Sequence, residues 1–171
     1  SLIETARVLQ QRGEDRYLFL LVGDGQQRPA LEAQAGRHQL ANVRWLPPMP
    51  KEELATFLRL ADVVLTWFAP VPVLATGSPN KLFDGLALGR PILINFGGWL
   101  QPVLAEQGAG VAVPSDDPKA LAEAIIELAS DPQRLAAMGR NARHLAEERF
   151  DRDRLSDQML AVLSQAVKGR R

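Results

Sequence analysis

Lys81 and Asp84 stand three residues apart in Gly77-Ser-Pro-Asn-Lys-Leu-Phe-Asp-Gly-Leu-Ala-Leu-Gly-Arg-Pro91. The stretch reads as a helix, with Ser78 as N-cap, Pro79 at the first helical position and Gly89 as the stop. A lysine in the first turn is out of place there. The helix dipole is already positive, and a cation is disfavoured by roughly 0.3–1 kcal/mol. A bound anion resolves the conflict. Phosphate oxygens would accept from the free amides around Asn80 to Leu82 and pair with the Lys81 ammonium. Gly77 leaves room for close approach to the backbone. Asp84 lies on the same face as Lys81, while Leu82, Phe83 and Leu86 turn inward. Its carboxylate is of the kind that accepts hydrogen bonds from two vicinal hydroxyls, as a ribose presents. The same pair at i, i+3 spacing also fits a plain surface ion pair worth about 0.2–0.5 kcal/mol. Residue chemistry alone leaves both readings open. Gly97-Gly98, beyond the next apolar segment, tips the balance by offering further backbone amides to the same crevice.

A second glycine pair, in Gly23-Asp-Gly25, invites a dinucleotide reading that fails twice. Arg28 stands where the third glycine belongs, and the next strand ends in Arg44-Trp45-Leu46 rather than in an acid. No Walker loop occurs. The turn is either a tight strand-to-helix connection or a ligand contact. With no cysteine, disulfides, thiolate metal sites and a cysteine nucleophile are excluded. His38 and His144 lie in polar helical stretches without a partner at metal spacing, and no metal site is expected. Twenty basic and twenty acidic residues cancel, which argues against a nucleic-acid partner.

The elements that must position these residues follow from periodicity. Apolar runs at Tyr17–Val22, Asn42–Leu46, Val63–Trp67, Pro91–Asn95 and Gly110–Val113 read as buried strands. Helices are expected at 2–11, 26–38, 50–60, 99–106, 117–129, 132–149 and 153–167, besides the one that carries Lys81. This alternation predicts the α/β class, a doubly wound parallel sheet of Rossmann-like type. In such sheets ligands bind at the carboxyl ends of the strands. Gly23–Gly25, Leu46–Met49, Trp67–Lys81 and Asn95–Trp99 all fall there. Trp99 could stack on a sugar or base and Trp67 could line the pocket, and both equally suit core or helix packing. No apolar run is long enough to cross a membrane, and no secretory leader is read at the start. The chain opens on Ser1-Leu-Ile-Glu4, a capping-box pattern, without an initiator methionine, and is read as a fragment.

The run SPNKLFDGLALGRPILIN, with the FGGWLQPVLAEQGAGVAVPSDDPKALAEAIIELASDPQRLAAMGRNAR that follows it, resembles the donor-binding half of GT-B glycosyltransferases of the family-4 (group 1) type. Upstream, LLVGDGQQRPALE and NVRWLPPMPKEELATFLRLADVVL fit the same pattern. The wording NKLFDGLALGRPILINFGGW is most similar to bacterial O-antigen and capsule transferases, fucosamine transferases among them. The resemblance implies one domain over residues 1–171, the C-terminal half of a two-domain enzyme of polysaccharide or lipopolysaccharide biosynthesis. It binds a nucleoside-diphosphate sugar, UDP rather than GDP, and transfers the sugar with retention and without a cofactor to a cell-surface glycan or lipid-linked acceptor. It implies a missing N-terminal acceptor domain and a missing first strand followed by an Arg and a Lys. The final helix (151–168) would cross back toward that partner domain. It implies a cytoplasmic protein, held peripherally at the inner face of the plasma membrane through the absent domain, and an isolated fragment that is inactive. Residue by residue, the family's E-x7-E signature falls on Thr76 and Asp84. Asp84 then takes the ribose, and Thr76 replaces the acid that touches the donor sugar. Ser78, Asn80, Lys81 and Leu82 match the diphosphate-binding helix start, where Lys81 stabilises developing charge. Gly97, Gly98 and Trp99 face sugar or phosphate, Leu46 and Met49 lie beside the base, and Gly23 and Gly25 line the edge. A sugar-nucleotide epimerase of the same fold and a non-catalytic α/β module are the alternatives.

Overall fold

The computed structural model, described for residues 2–168, alternates helix and strand along its length. Helix α1 (Leu2–Gln11) leads to β1 (Phe19–Val22), α2 (Arg28–Arg37), β2 (Val43–Leu46) and α3 (Lys51–Leu60). Then come β3 (Val64–Thr66), a 3-10 turn (Pro72–Thr76), α4 (Asn80–Ala87), β4 (Ile92–Ile94), α5 (Leu100–Glu106) and β5 (Gly110–Ala112). Helices α6 (Pro118–Ser130), α7 (Pro132–Arg149) and α8 (Arg152–Lys168) complete the order. Every ladder is parallel, as predicted for the doubly wound class. A capping role for Ser1 lies outside the described residues. Glu4 is engaged elsewhere, pairing with Arg7 at 2.8 Å and accepting from Gln34 at 2.7 Å.

The five strands form two ladders rather than one sheet: β1 with β2, and β3-β4-β5. Ile92 and Ile94 of β4 pack with Val64, Leu82, Leu86, Leu100, Leu104 and Leu145, while Leu93 meets Leu121, Leu128 and Met138 on the other face. β4 is thus buried on both faces, as its unbroken apolar run demands. β1 corrects the expectation of a strand buried throughout. Phe19 is buried with Ile3, Leu9 and Val43, but Leu18, Leu20 and Val22 are 56%, 40% and 37% exposed. By alternation these three side chains share the face opposite Phe19, and they join no hydrophobic cluster among the described residues. Phe19 and Gly23 donate to the Asn42 and Leu46 carbonyls of the β2 side. By alternation the amides of Leu20 and Val22 face an edge with no strand against it. Val64 donates to the Pro91 carbonyl, so Leu65 likewise turns its amide to the free edge of β3.

Helix α4 lies directly on this framework. A Cβ at Gly85 would come within 2.8 Å of Ile92 Cδ1 and 3.2 Å of Val64 Cβ, so only glycine allows the helix so close. At its far end Gly89, at φ +66°, sends its amide to the Leu86 carbonyl, and Arg90 donates to Gly85 at 2.9 Å. This is the paired C-terminal closure for which glycine is favoured, and it confirms the predicted stop. At the other extreme, α8 presents Leu155, Met159, Leu160, Leu163 and Val167 to solvent.

A side chain at Gly110 would place Cβ 2.3 Å from the Ile92 carbonyl oxygen, a backbone atom that cannot give way. Gly110→Ala should therefore lower stability by about 1–3 kcal/mol in urea unfolding. Gly36, with open space around it inside α2, is the control. Gly36→Ala should leave stability unchanged or raise it by up to about 1 kcal/mol.

Candidate functional site

Helix α4 starts one residue later than its sequence suggests. Pro79, extended at φ −73° and ψ 125°, is the N-cap, and no side chain caps the helix. Ser78 is therefore not the cap. It lies exposed outside the helix, because Pro79 takes the last non-helical place. Leu82 is corrected as well. Its side chain is fully buried in the core, and its amide donates to the Pro79 carbonyl at 3.0 Å. What remains at the helix start are the amides of Asn80 and Lys81, with no protein acceptor among the described residues. An uncapped, exposed start leaves these donors and the positive end of the dipole open to water or to an outside anion.

Lys81 stands at this end without a counter-charge. Its Nζ sits 5.9 Å from the Phe68 ring centroid, and among the described residues no carboxylate forms an ion pair with it. The residue keeps solvent-accessible surface. Even so, the protein around its ammonium removes enough hydration to lower its pKa from the ordinary lysine value of 10.5. The surface pair Lys81–Asp84 does not form. Asp84 Oδ1 is instead held at 2.8 Å by Lys51 Nζ, from the first turn of α3.

The loops around α4 are bound to one another. Asn95, buried at the end of β4, clamps the segment after β3. The Phe68 N–H donates to Asn95 Oδ1 at 2.8 Å, and Asn95 Nδ2 donates to the Phe68 carbonyl at 2.7 Å. Phe68 also packs on Phe96 with centroids 4.7 Å apart. Gly98, at φ +81°, meets the 3-10 turn so closely that a Cβ would lie 2.0 Å from the Ala75 carbonyl. Its glycine identity thus has a packing cause besides any ligand. Gly97 is less constrained, since a Cβ there would meet only the mobile end of Gln101 at 3.2 Å. Gly77 has an extended backbone, φ −70°, and is tight against Leu74 and Phe68. Thr76 closes the 3-10 turn, its hydroxyl donating to the Val73 carbonyl at 2.8 Å.

Trp99 is 43% exposed and stacks on Phe83 at 6.5 Å, and both meet Phe150 edge-on. This aromatic group braces α4 against α5 and the junction of α7 with α8. Trp67 packs into the cluster around Leu93 and Leu121. The expected residues therefore separate into two groups. Thr76, Asn80, Lys81, Asp84, Gly97, Gly98 and Trp99 belong to one set of touching loops around α4. Gly23 and Gly25 belong to the β1–β2 ladder instead. Arg28 fills their turn, with Nη1 donating to the Gly23 and Leu46 carbonyls and its amide to Gly25. Leu46 is tied to that turn, and half-buried Met49 leads through Pro50 into Lys51 and so toward Asp84.

Lys51, Asn95, Phe68 and Phe150 escaped the sequence reading. Asn95 carried one usable signal, a polar residue ending an all-apolar strand. The others become visible only once the chain is folded. Among the described residues, no cluster of potential metal ligands occurs and no helix is long and apolar enough to cross a membrane.

The family model described as glycosyl transferases group 1 matches residues 1–131. A D-inositol 3-phosphate glycosyltransferase of Corynebacterium urealyticum is 32% identical over 153 residues, 82% of this chain and 34% of that protein. One of Thermobispora bispora is 34% identical over 154 residues, 85% of this chain and 33% of its own length. The chain thus spans about a third of these relatives. Among solved structures, Anabaena HepE in complex with UDP superposes with a TM-score of 0.80 at 22% identity, over 96% of this chain and 44% of its own. WaaG, a glycosyltransferase involved in lipopolysaccharide biosynthesis, gives 0.70 at 20% identity, over 86% and 38%.

Two outcomes follow from the geometry. Asn95→Ala strands the Phe68 amide and carbonyl and should cost about 1–3 kcal/mol in chemical denaturation. Lys81→Met should raise the thermal midpoint at pH 7, because it removes an unpaired and partly desolvated cation. In the native chain that cation's cost is fully present while both folded and unfolded states are protonated. The cost fades as pH rises through the lowered folded value toward 10.5. The gain from Lys81→Met should therefore shrink between pH 7 and pH values near 10.5 in thermal scans.

Proposed function

Because this chain belongs to the glycosyl transferases group 1 family, we propose that it is the donor-binding domain of a retaining glycosyltransferase that takes its sugar from a UDP-sugar. The observation that carries this reading is the start of α4. There, among the described residues, Lys81 has no carboxylate partner and the amides of Asn80 and Lys81 have no protein acceptor. A diphosphate meets all three donors at once through charge-assisted hydrogen bonds, and developing charge on the leaving phosphate is stabilised by the same groups. Asp84, on the same helix, takes ribose hydroxyls. Thr76, Gly97, Gly98 and Trp99 border the sugar. Leu46 and Met49 approach the base, with Gly23 and Gly25 at the outer edge. HepE structures with UDP and with UDP-glucose support UDP as the nucleotide.

The acceptor is read from outside these residues. The relatives are named D-inositol 3-phosphate glycosyltransferases, whereas the wording of α4 and β4 resembles O-antigen and capsule transferases. On either reading the acceptor would be held by a separate domain of the whole protein, and a lipid-linked acceptor would bring that domain to the inner face of the membrane. Two features of the fold support a larger whole. The free edges of β1 and β3 match a doubly wound sheet of strand order 3-2-1-4-5-6 without its first strand. The apolar residues of α8 match a helix that packs on another domain. The epimerase alternative is disfavoured, since His38 pairs with Glu4 and His144 with Glu148, and neither pair involves a residue of the α4 start. Family membership disfavours the non-catalytic module.

Titration calorimetry with UDP tests the assignment. The chain should bind UDP more tightly than GDP, and Lys81→Ala and Asp84→Ala should each weaken binding by about 10-fold or more. The 171 residues alone should neither hydrolyse nor transfer the sugar of UDP-glucose. Unchanged binding in both variants would contradict the assignment.

A further inference from the structure

The structure assigns to Lys51 a role that no motif marks: we infer that it is a positioning residue for the nucleoside, holding the Asp84 carboxylate ready for a ribose. This rests on the donor-site reading above. Lys51 is the first residue of α3, where the dipole disfavours a cation much as it does at Lys81. Glu52 and Glu53 complement the dipole in the same turn, and Asp84 gives the ammonium its ion-pair partner, with Nζ and Oδ1 2.8 Å apart. The two ends of this contact differ. The Lys51 side chain is 73% exposed, whereas Asp84 is only 27% exposed. The lysine reaches from the rim onto a carboxylate that is already partly enclosed.

The pair joins two walls of the crevice, the segment from Leu46 to Pro50 that leads into α3 and the exposed face of α4. With Lys51 on Oδ1, the Asp84 carboxylate is held from one side and keeps Oδ2 and the free lone pair of Oδ1 for sugar hydroxyls. An exposed ion pair of purely structural value would contribute about 0.2–1 kcal/mol to stability and nothing particular to a ligand. A positioning residue behaves differently. Its removal is felt only by ligands that use the hydroxyls.

Three probes separate these roles by calorimetry: UDP, 2′,3′-dideoxyuridine diphosphate and pyrophosphate. In the unsubstituted chain UDP should bind more tightly than the dideoxy compound. Lys51→Met should weaken UDP by about 3- to 10-fold, the worth of one hydrogen bond held in register. It should leave the dideoxy compound and pyrophosphate unchanged, and Lys51→Arg should restore UDP binding. Thermal scans of Lys51→Met should show the fold intact. An equal loss for all three probes, or no loss for UDP, would overturn the role of Lys51 while leaving the donor site standing. If the unsubstituted chain binds UDP no better than pyrophosphate, the nucleoside reading fails and Lys51 falls with it.

Discussion

A cation held at the positive end of a helix, with no carboxylate against it, sets the terms for the carboxyl edge of this fold. Lys81 works against the dipole of α4 and against its own partial loss of hydration. Among the described residues no carboxylate offsets either cost, and the ammonium has only the face of Phe68 against it. The surrounding structure nevertheless keeps the lysine in place. Gly85 seats α4 on Ile92 and Val64, Leu82 and Leu86 bury its inner face, and the closure at Gly89 ends it cleanly. A helix fixed on three sides cannot turn its first residues away, so the free amides of Asn80 and Lys81 stay aimed at the crevice. Such fixed donors are worth more to an anion than mobile ones, because their ordering is complete before binding.

The neighbouring loops are rigid for a related reason. Asn95 is buried, and its amide satisfies both backbone groups of Phe68. That links the ends of β3 and β4, and the approach of Gly98 to Ala75 links the next loop to the 3-10 turn. The aromatic group of Phe83, Trp99 and Phe150 extends the same bracing to the point where α8 departs. Position at the α4 crevice is therefore set by backbone contacts and buried side chains, with the charged groups left exposed at its mouth.

Much of this was legible in the chain. The alternation of apolar runs with helices predicted the fold class and the five strands. Lys81 was conspicuous because one local rule, the helix dipole, was broken, and such breaks gather at functional sites. Other features depend on contacts between distant segments. Ser78 and Leu82 were misplaced because an N-cap position, ambiguous beside a proline, moved by a single residue. Lys51 and Asp84 are far apart in sequence, and no periodicity pairs them. The exposure of Leu18, Leu20 and Val22 was unreadable as well, since an apolar run does not say whether both of its faces are covered. The turn at Gly23 and Gly25 was legible too, but not that Arg28 reaches back into it to the Gly23 and Leu46 carbonyls.

The central claim is that a nucleotide diphosphate is the missing counter-charge of Lys81. A crystal structure of the chain grown with UDP tests it most directly. The account predicts phosphate oxygens within about 3 Å of the Asn80 and Lys81 amides and of Lys81 Nζ, with the ribose on Asp84. A diphosphate seated instead on the Gly23-Asp-Gly25 turn, with Lys81 still facing Phe68 and no anion at the start of α4, would contradict it.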